Sequence, residues 1–345
     1  MKKLALLAIP SLAAGLLASC ADDKAEHMPD YPSGAAIKFA VTAPITPRSA
    51  ETTTTTIQSF LLNAYSQNTK FMNNVTVNRT GSSWSYSPVV YWPAEPVNFY
   101  AVSPDVRATA TSTSDSYAMQ YENKGNVDLL YSVAHNQTQD GYGTPKPVTL
   151  NFRHALSRIK VNISSNDKNM KVYVKEVELE GIAQKGMFTF PKETTAAGGT
   201  IVGAWSNQTD IEDIDVFSVE GQGTLLTATP AEFSNQNYFF AMPQNLSPAS
   251  ATASSVSGSY IMVEAQIKND QGLVLWPNAQ TPAANKDGDK GIIRFPLCRD
   301  NAPMSWNPGQ GYIYNITIDA IPGLDLISFN VTVDDINYDN TSMTE

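Results

Sequence analysis

The stretch NFRHALSRIKVNI, residues 151–163, decides how the rest of the chain is read. In its second half Ile159, Val161 and Ile163 alternate with Arg158, Lys160 and Asn162. Successive side chains of a strand point to opposite faces, so a period of two puts the apolar residues on one side of a half-buried strand. A helix would space them by three and four.

The same period recurs on both sides of this stretch. Upstream, Ile37, Phe39 and Val41 alternate with Lys38, Ala40 and Thr42, and Phe60, Leu62 and Ala64 with Leu61, Asn63 and Tyr65. Val97, Phe99 and Ala101 form a third face. Downstream come Ile261, Val263, Ala265 and Ile267, then Tyr312, Tyr314, Ile316 and Ile318, and last Ile327, Phe329, Val331 and Val333. Val172 and Val174 fall out of phase with Val177 and Leu179, which predicts a bulge. No long pattern of period 3.6 competes with these segments. Many short strands separated by Gly, Pro, Asn and Ser predict an all-β chain of sandwich type. Residues 151–163 join the two sets of strands, so the domain boundary is expected there: 36–153 before it and 154–345 after it.

The N-terminus reads differently. Lys2 and Lys3 precede an apolar run from Leu4 to Ala18, the composition of a secretory signal peptide. That run is shorter than the ~20 residues a membrane span needs. It closes on Leu17-Ala18-Ser19-Cys20, which resembles a bacterial lipobox and implies acylation of Cys20 after removal of residues 1–19. Several acyl chains hold a polypeptide stably at a membrane. Ala21, Asp22 and Asp23 resemble the acidic signal that sends Bacteroidetes lipoproteins to the outer face of the outer membrane. Residues 20–35, with Pro29, Pro32 and Gly34, read as a tether.

Composition narrows the function. Without residues 1–19 the chain keeps 326 of its 345 residues, enough for two domains, and its formal net charge moves from −10 to −12. No basic stripe offers a footprint for phosphates, so nucleic acid is not expected as a partner. With Cys20 lipidated, Cys298 stands alone and no internal disulfide can form.

Catalytic and metal-binding patterns are missing. His27 lies in the tether, and His135 and His154 have no supporting motif; His154 is expected to pack or hydrogen-bond between domains. No His-x-x-x-His, Cys-x-x-Cys, Gly-x-Ser-x-Gly or phosphate-cradling Gly-Lys-Ser/Thr pattern occurs. DIEDIDV (residues 210–216) and NKDGDKG (285–291) gather acids, and both are expected as solvated loops; the second lacks the glycine register and terminal glutamate of a calcium loop. A paired-carboxylate glycosidase would need two of the 33 acids to meet, and no spacing selects a pair. No cofactor and no metal are expected. Trp84, Trp92, Trp205, Trp276 and Trp306 could build a sugar-stacking platform, which would make the chain a glycan-binding surface lipoprotein. Trp92 and Trp276 each precede a proline in apolar surroundings, the pattern of a tryptophan packed at a strand end.

Four stretches resemble one family in the right order. VVYWPAEPVNFYAVSP (89–104) is similar to the tryptophan-proline segment and Phe-Tyr-Ala-x-x-Pro strand of Bacteroidetes fimbrillins, the major-fimbria-like pilins. LNFRHALSRIKVNI (150–163) resembles their Phe-x-His junction, YFFAMPQN (238–245) their Pro-Gln strand, and WNPGQGYIYNITID (306–319) their Pro-Gly-x-x-Tyr-x-Tyr strand.

The resemblance implies two tandem transthyretin-like β-sandwich domains in a non-enzymatic pilus subunit that serves adhesion. It also implies a lipoprotein precursor cut by a trypsin-like protease after an arginine and polymerised by strand exchange. The matching position here is Arg48–Ser49 in ITPRSA, where Pro47 departs from the family's usual threonine. Strand 36–45, carrying Ile37, Phe39 and Val41, would then be displaced. The candidate donor is strand 326–338, with Ile327, Phe329, Val331 and Val333 on one face. Implied partners are other pilin subunits, the processing protease, the outer membrane through Cys20, and a host or bacterial surface receptor. The first strand and the tail share one alternation, and the tail could instead pair inside its own second domain.

Overall fold

The computed structural model describes residues 35–42, 56–104, 106, 110–124, 126–139, 146–194, 202–234, 238–251, 256–298, 305–319 and 328–335. Among them the chain is all β, with a single 3-10 turn at Ala283–Asn285.

One six-stranded sheet runs β10 (Arg153–His154), β8 (Leu130–Gln137), β5 (Val97–Ser103), β2 (Ser59–Ser66), β3 (Thr69–Thr80), β4 (Ser83–Ser85). A separate parallel pair joins β1 (Phe39–Thr42) to β9 (Val148–Asn151). The largest sheet runs β21 (Lys286–Asp287), β22 (Lys290–Pro296), β19 (Tyr260–Lys268), β12 (Lys171–Thr189), β7 (Tyr117–Glu122), β6 (Ala110–Ser112). Beside β12 lie β13 (Ala204–Ser218) and β14 (Thr224–Leu225), and beside β19 lies β20 (Val274–Trp276). Facing it is a sheet of β15 (Ala231–Glu232), β11 (Ser157–Ser164), β23 (Gln310–Thr317) and β24 (Ser328–Asp335), with β16 (Phe239–Ala241) on β11. A short hairpin pairs β17 (Ser250–Ala251) with β18 (Val256–Ser257).

The second half is a two-sheet sandwich. Ile159, Val161 and Ile163 of β11 and Tyr312, Tyr314 and Ile316 of β23 meet the inward residues of β12, β19 and β22 in one core. The expected bulge is present: the β12–β19 register shifts between Val174 and Glu176.

The first half is built differently from what period two suggests. Phe60, Leu62, Ala64, Phe99 and Ala101 pack into one core, as expected. Their alternates Tyr65, Tyr100 and Val102, on the face that a half-buried strand would leave to solvent, are buried in another core with Tyr117, Met119, Phe188 and Phe190. Both faces of the central sheet are therefore covered, by β1 and β9 on one side and by β7 and the end of β12 on the other. Tyr and Asn alternates conceal this, because a buried Tyr needs only a partner for its hydroxyl: Tyr100 Oη is 2.8 Å from His135 Nε2.

Near residue 154 the chain does change sheets, from β10 into β11. The halves on either side of 153/154 are nevertheless continuous. The 19-residue β12 pairs with β19 over Lys171–Glu180 and with β7 over Lys185–Thr189, so one strand serves both. His154 lies at this crossing, 1% exposed, its Nδ1 2.8 Å from Asp128 Oδ1.

Candidate functional site

β1 is short, yet it is built into the first core. Ile37 is 2% and Phe39 6% exposed, and the half-buried Val41 packs on the same cluster. The Phe39 ring lies 6.1 Å from Phe60, 5.6 Å from Tyr86 and 5.7 Å from Phe99, centroid to centroid. Fully burying side chains such as Ile37 and Phe39 contributes ~1.5–3 kcal/mol each before entropy.

Both edges of this segment are paired. On one side the parallel register sets Phe39 opposite Val148 and Val41 opposite Leu150, and Val148 N donates to Lys38 O at 2.7 Å. On the other, Ala36 bridges Tyr91: Ile37 N donates to Val90 O at 3.0 Å and Trp92 N to Ala35 O at 3.3 Å. Tyr86 Oη sits 2.9 Å from Ile37 O and 3.2 Å from Val90 O. Burial pushes its phenol above its ordinary pKa, so it keeps the proton it donates. Residues 36–42 thus occupy a slot between β9 and Val90–Trp92, floored by Phe60, Phe99 and Trp92. Among the described strands β9 pairs only with β1.

The C-terminal strand lies elsewhere. β24 pairs antiparallel with β23 along its whole length, with Tyr314 opposite Val331 and Tyr312 opposite Val333. It is the edge of its own sheet. Val331 packs on the second core, whereas Val333 is 53% exposed. Phe329 is on this strand in register with Ile316. Cys20, Arg48, Ser49 and Ile327 lie outside the described residues.

The tryptophans do not assemble a platform. Trp92, Trp276 and Trp306 are 2–3% exposed, and the Trp84 ring packs tilted against Phe60 at 5.1 Å. A sugar needs an open ring face, and three of the five have none. DIEDIDV is not the expected loop: it belongs to β13, whose Asp210, Glu212, Asp213 and Asp215 are exposed along the strand. NKDGDKG forms the solvated β21–β22 hairpin.

Across β12 and β13 the carboxylate sets Glu176–Glu178–Asp215 and Glu178–Glu180–Asp213 bring their oxygens within 4.8 Å of one another. Burial first, then the hydrogen bond to Asp215 and the neighbouring charges, push Glu178 up to about 8. Arg294 answers Glu180 bidentately, at 2.6 and 2.8 Å.

A fimbrillin-like family model matches residues 45–335. The chain belongs to the fimbrillin-like family. Its fold is that of a fimbrial protein from Bacteroides vulgatus, with 14% identity, coverage of 87% of this chain and 99% of that one, and a TM-score of 0.50. A fimbrilin from Porphyromonas gingivalis aligns at 11% identity over 87% of this chain and 96% of its own, with a TM-score of 0.46. The tip fimbrial protein Mfa3 of the same organism aligns at 14% identity over 81% and 94%, with a TM-score of 0.39. No curated protein matches. In this fimbrillin-like chain Val90–Trp92, ending on the tryptophan of the tryptophan-proline segment, supplies one wall of the slot. The opposite wall, β9 with Phe152 just beyond its end, carries a period-two pattern of its own, Val148, Leu150 and Phe152, that is not among the alternating runs named above.

Proposed function

We propose that this chain is a non-enzymatic fimbrial subunit for adhesion, exported as a lipoprotein precursor and kept monomeric by its own first strand. The signal peptide would leave at Cys20, the lipid would hold the precursor at the outer membrane surface, and a trypsin-like protease would cut between Arg48 and Ser49. Family membership supports a fimbrial role. The observation that carries the strand reading is the segment 35–42 itself, buried on the core and, among the described residues, held by hydrogen bonds to β9, to Val90–Trp92 and to the Tyr86 hydroxyl.

Cleavage after Arg48 breaks none of those contacts. It removes the covalent link that keeps the strand at high effective concentration, so dissociation becomes productive. The vacated slot then offers an unpaired β9 edge and an apolar floor, the chemistry that receives an added strand. In this reading the C-terminal strand of a second copy, with Ile327, Phe329, Val331 and Val333, fills it. β24 suits that role because it holds its own domain by one edge only.

Purified precursor treated with trypsin is expected to give a ladder of oligomers, and Arg48→Ala precursor to remain monomeric under the same treatment. Mass spectrometry of assembled fibres should find Ser49 at the N-terminus. Fibres whose subunits begin at Cys20 would overturn the proposal.

A further inference from the structure

A second feature lies where the two halves meet. A cleft of about 480 Å³ opens between the end of β7, the middle of β12 and the acidic stretch of β13, and neither β1 nor β24 lines it. Its rim carries Glu122, Asp210, Glu212 and Asp215, all exposed. Its floor includes Ile214 and Phe239, each 8% exposed. Two lysines answer the four acids. Lys124 Nζ is 2.7 Å from Glu122 on a side chain 76% exposed, and Lys185 Nζ is 3.7 Å from Asp210. The cleft therefore keeps a negative balance.

Asn123 also lines this cleft and is only 3% exposed. Its Nδ2 donates to Phe240 O at 2.7 Å, which fixes the amide's orientation. Its Oδ1 accepts from nothing. A buried acceptor left unpaired costs stability, and only an N–H or O–H donor can repair it.

We propose that this cleft receives an arginine or lysine side chain from a protein partner. The methylene stem lies along Ile214 and Phe239, as long basic side chains cover apolar surface. The charged head displaces Lys124 and meets Glu122, Asp210 and Glu212 in charge-assisted hydrogen bonds. One N–H reaches Asn123 Oδ1. A single metal ion fits less well, because among the described residues the carboxylate sets close enough to share one contain none of Glu122, Asp210 and Glu212.

The test uses the full chain and a fluorescein-labelled pentapeptide with one arginine among alanines, followed by anisotropy at low ionic strength. Its citrulline counterpart keeps the shape and loses the charge. The arginine peptide is expected to bind about tenfold more tightly than the citrulline peptide. Asp210→Asn with Glu212→Gln should abolish that preference; both residues are exposed, and Asn tolerates the positive φ of Asp210. Asn123→Ala, which changes no charge, should weaken binding about threefold, and the exposed pair keeps the test decisive if that variant does not fold. Glu95→Gln with Glu220→Gln, the same charge change elsewhere on the surface, should leave binding unchanged. Equal affinity for both peptides would overturn the proposal, as would an equal loss in the Glu95 and Glu220 control. Displacement of the peptide by millimolar calcium from the native chain alone would assign the cleft to a metal and overturn it too.

Discussion

Glu178 holds a proton at neutral pH that an exposed glutamate would have released. Its pKa is pushed up to about 8 from the ordinary 4.5, first by burial and then by Asp215 and Glu176 beside it. The folded chain binds that proton and the unfolded chain gives it up, so stability falls as pH rises from about 4.5 to about 8 and levels off above that. Glu176 is raised as well, by burial and by Glu264, and adds to the same slope. The melting temperature should therefore drop between pH 5 and pH 8.5. Glu178→Gln should flatten the drop and melt higher than the native chain at pH 8.5. Parallel pH profiles for the two proteins would refute this assignment of the proton.

At the scale of the strand, β12 must turn its two ends toward different partners. It does so at Gly181, where the register against β13 shifts between Leu179 and Ile182 and φ is +69°. A Cβ there would lie 2.1 Å from Gly258 O. Gly181→Ala should therefore cost at least ~1–3 kcal/mol from backbone strain alone, read as a lower urea midpoint for the whole chain. An unchanged midpoint would mean that the bulge is not needed. Much at this scale was legible in residues: β2, β5, β11, β19, β23 and β24 each coincide with a period-two run, and the phase slip after Val174 marked a real bulge. The length of β12 was not legible, because its end pairs with β7, more than sixty residues upstream, and no local pattern encodes a partner so distant. The strand nature of DIEDIDV was hidden for a related reason. β13 is paired along one edge with little burial, so charges sit where alternation would call for apolar side chains. One wall of the slot, Val90–Trp92, lies in the stretch that resembles the family, and the other, β9, in an alternation of Val148, Leu150 and Phe152, while their pairing with the first strand depends on the fold around them.

At the scale of the whole molecule, three cores among the described residues share the work unevenly. The second half closes its sandwich with its own strands, and the central core ties the halves together. The first core alone depends on a segment that precedes the arginine of ITPRSA. In the proposed assembly this segment must leave before subunits can join. Ala36 and Tyr91 allow a direct test. They form an antiparallel pair flanked by the Ile37–Val90 and Trp92–Ala35 bonds, hence a non-hydrogen-bonded pair whose Cα atoms stand ~4.5 Å apart, within the span of a disulfide. Ala36→Cys with Tyr91→Cys should lock the strand without moving it, and the native Cys298 is buried away from exchange. The measurement is assembly of this oxidised variant after trypsin. Strand displacement requires cleavage at Arg48 with no oligomers, the N-terminal peptide retained in the mass spectrum, and a ladder appearing once a reductant is added. Oligomers forming from the oxidised, cleaved protein as fast as from the unlocked one would contradict it.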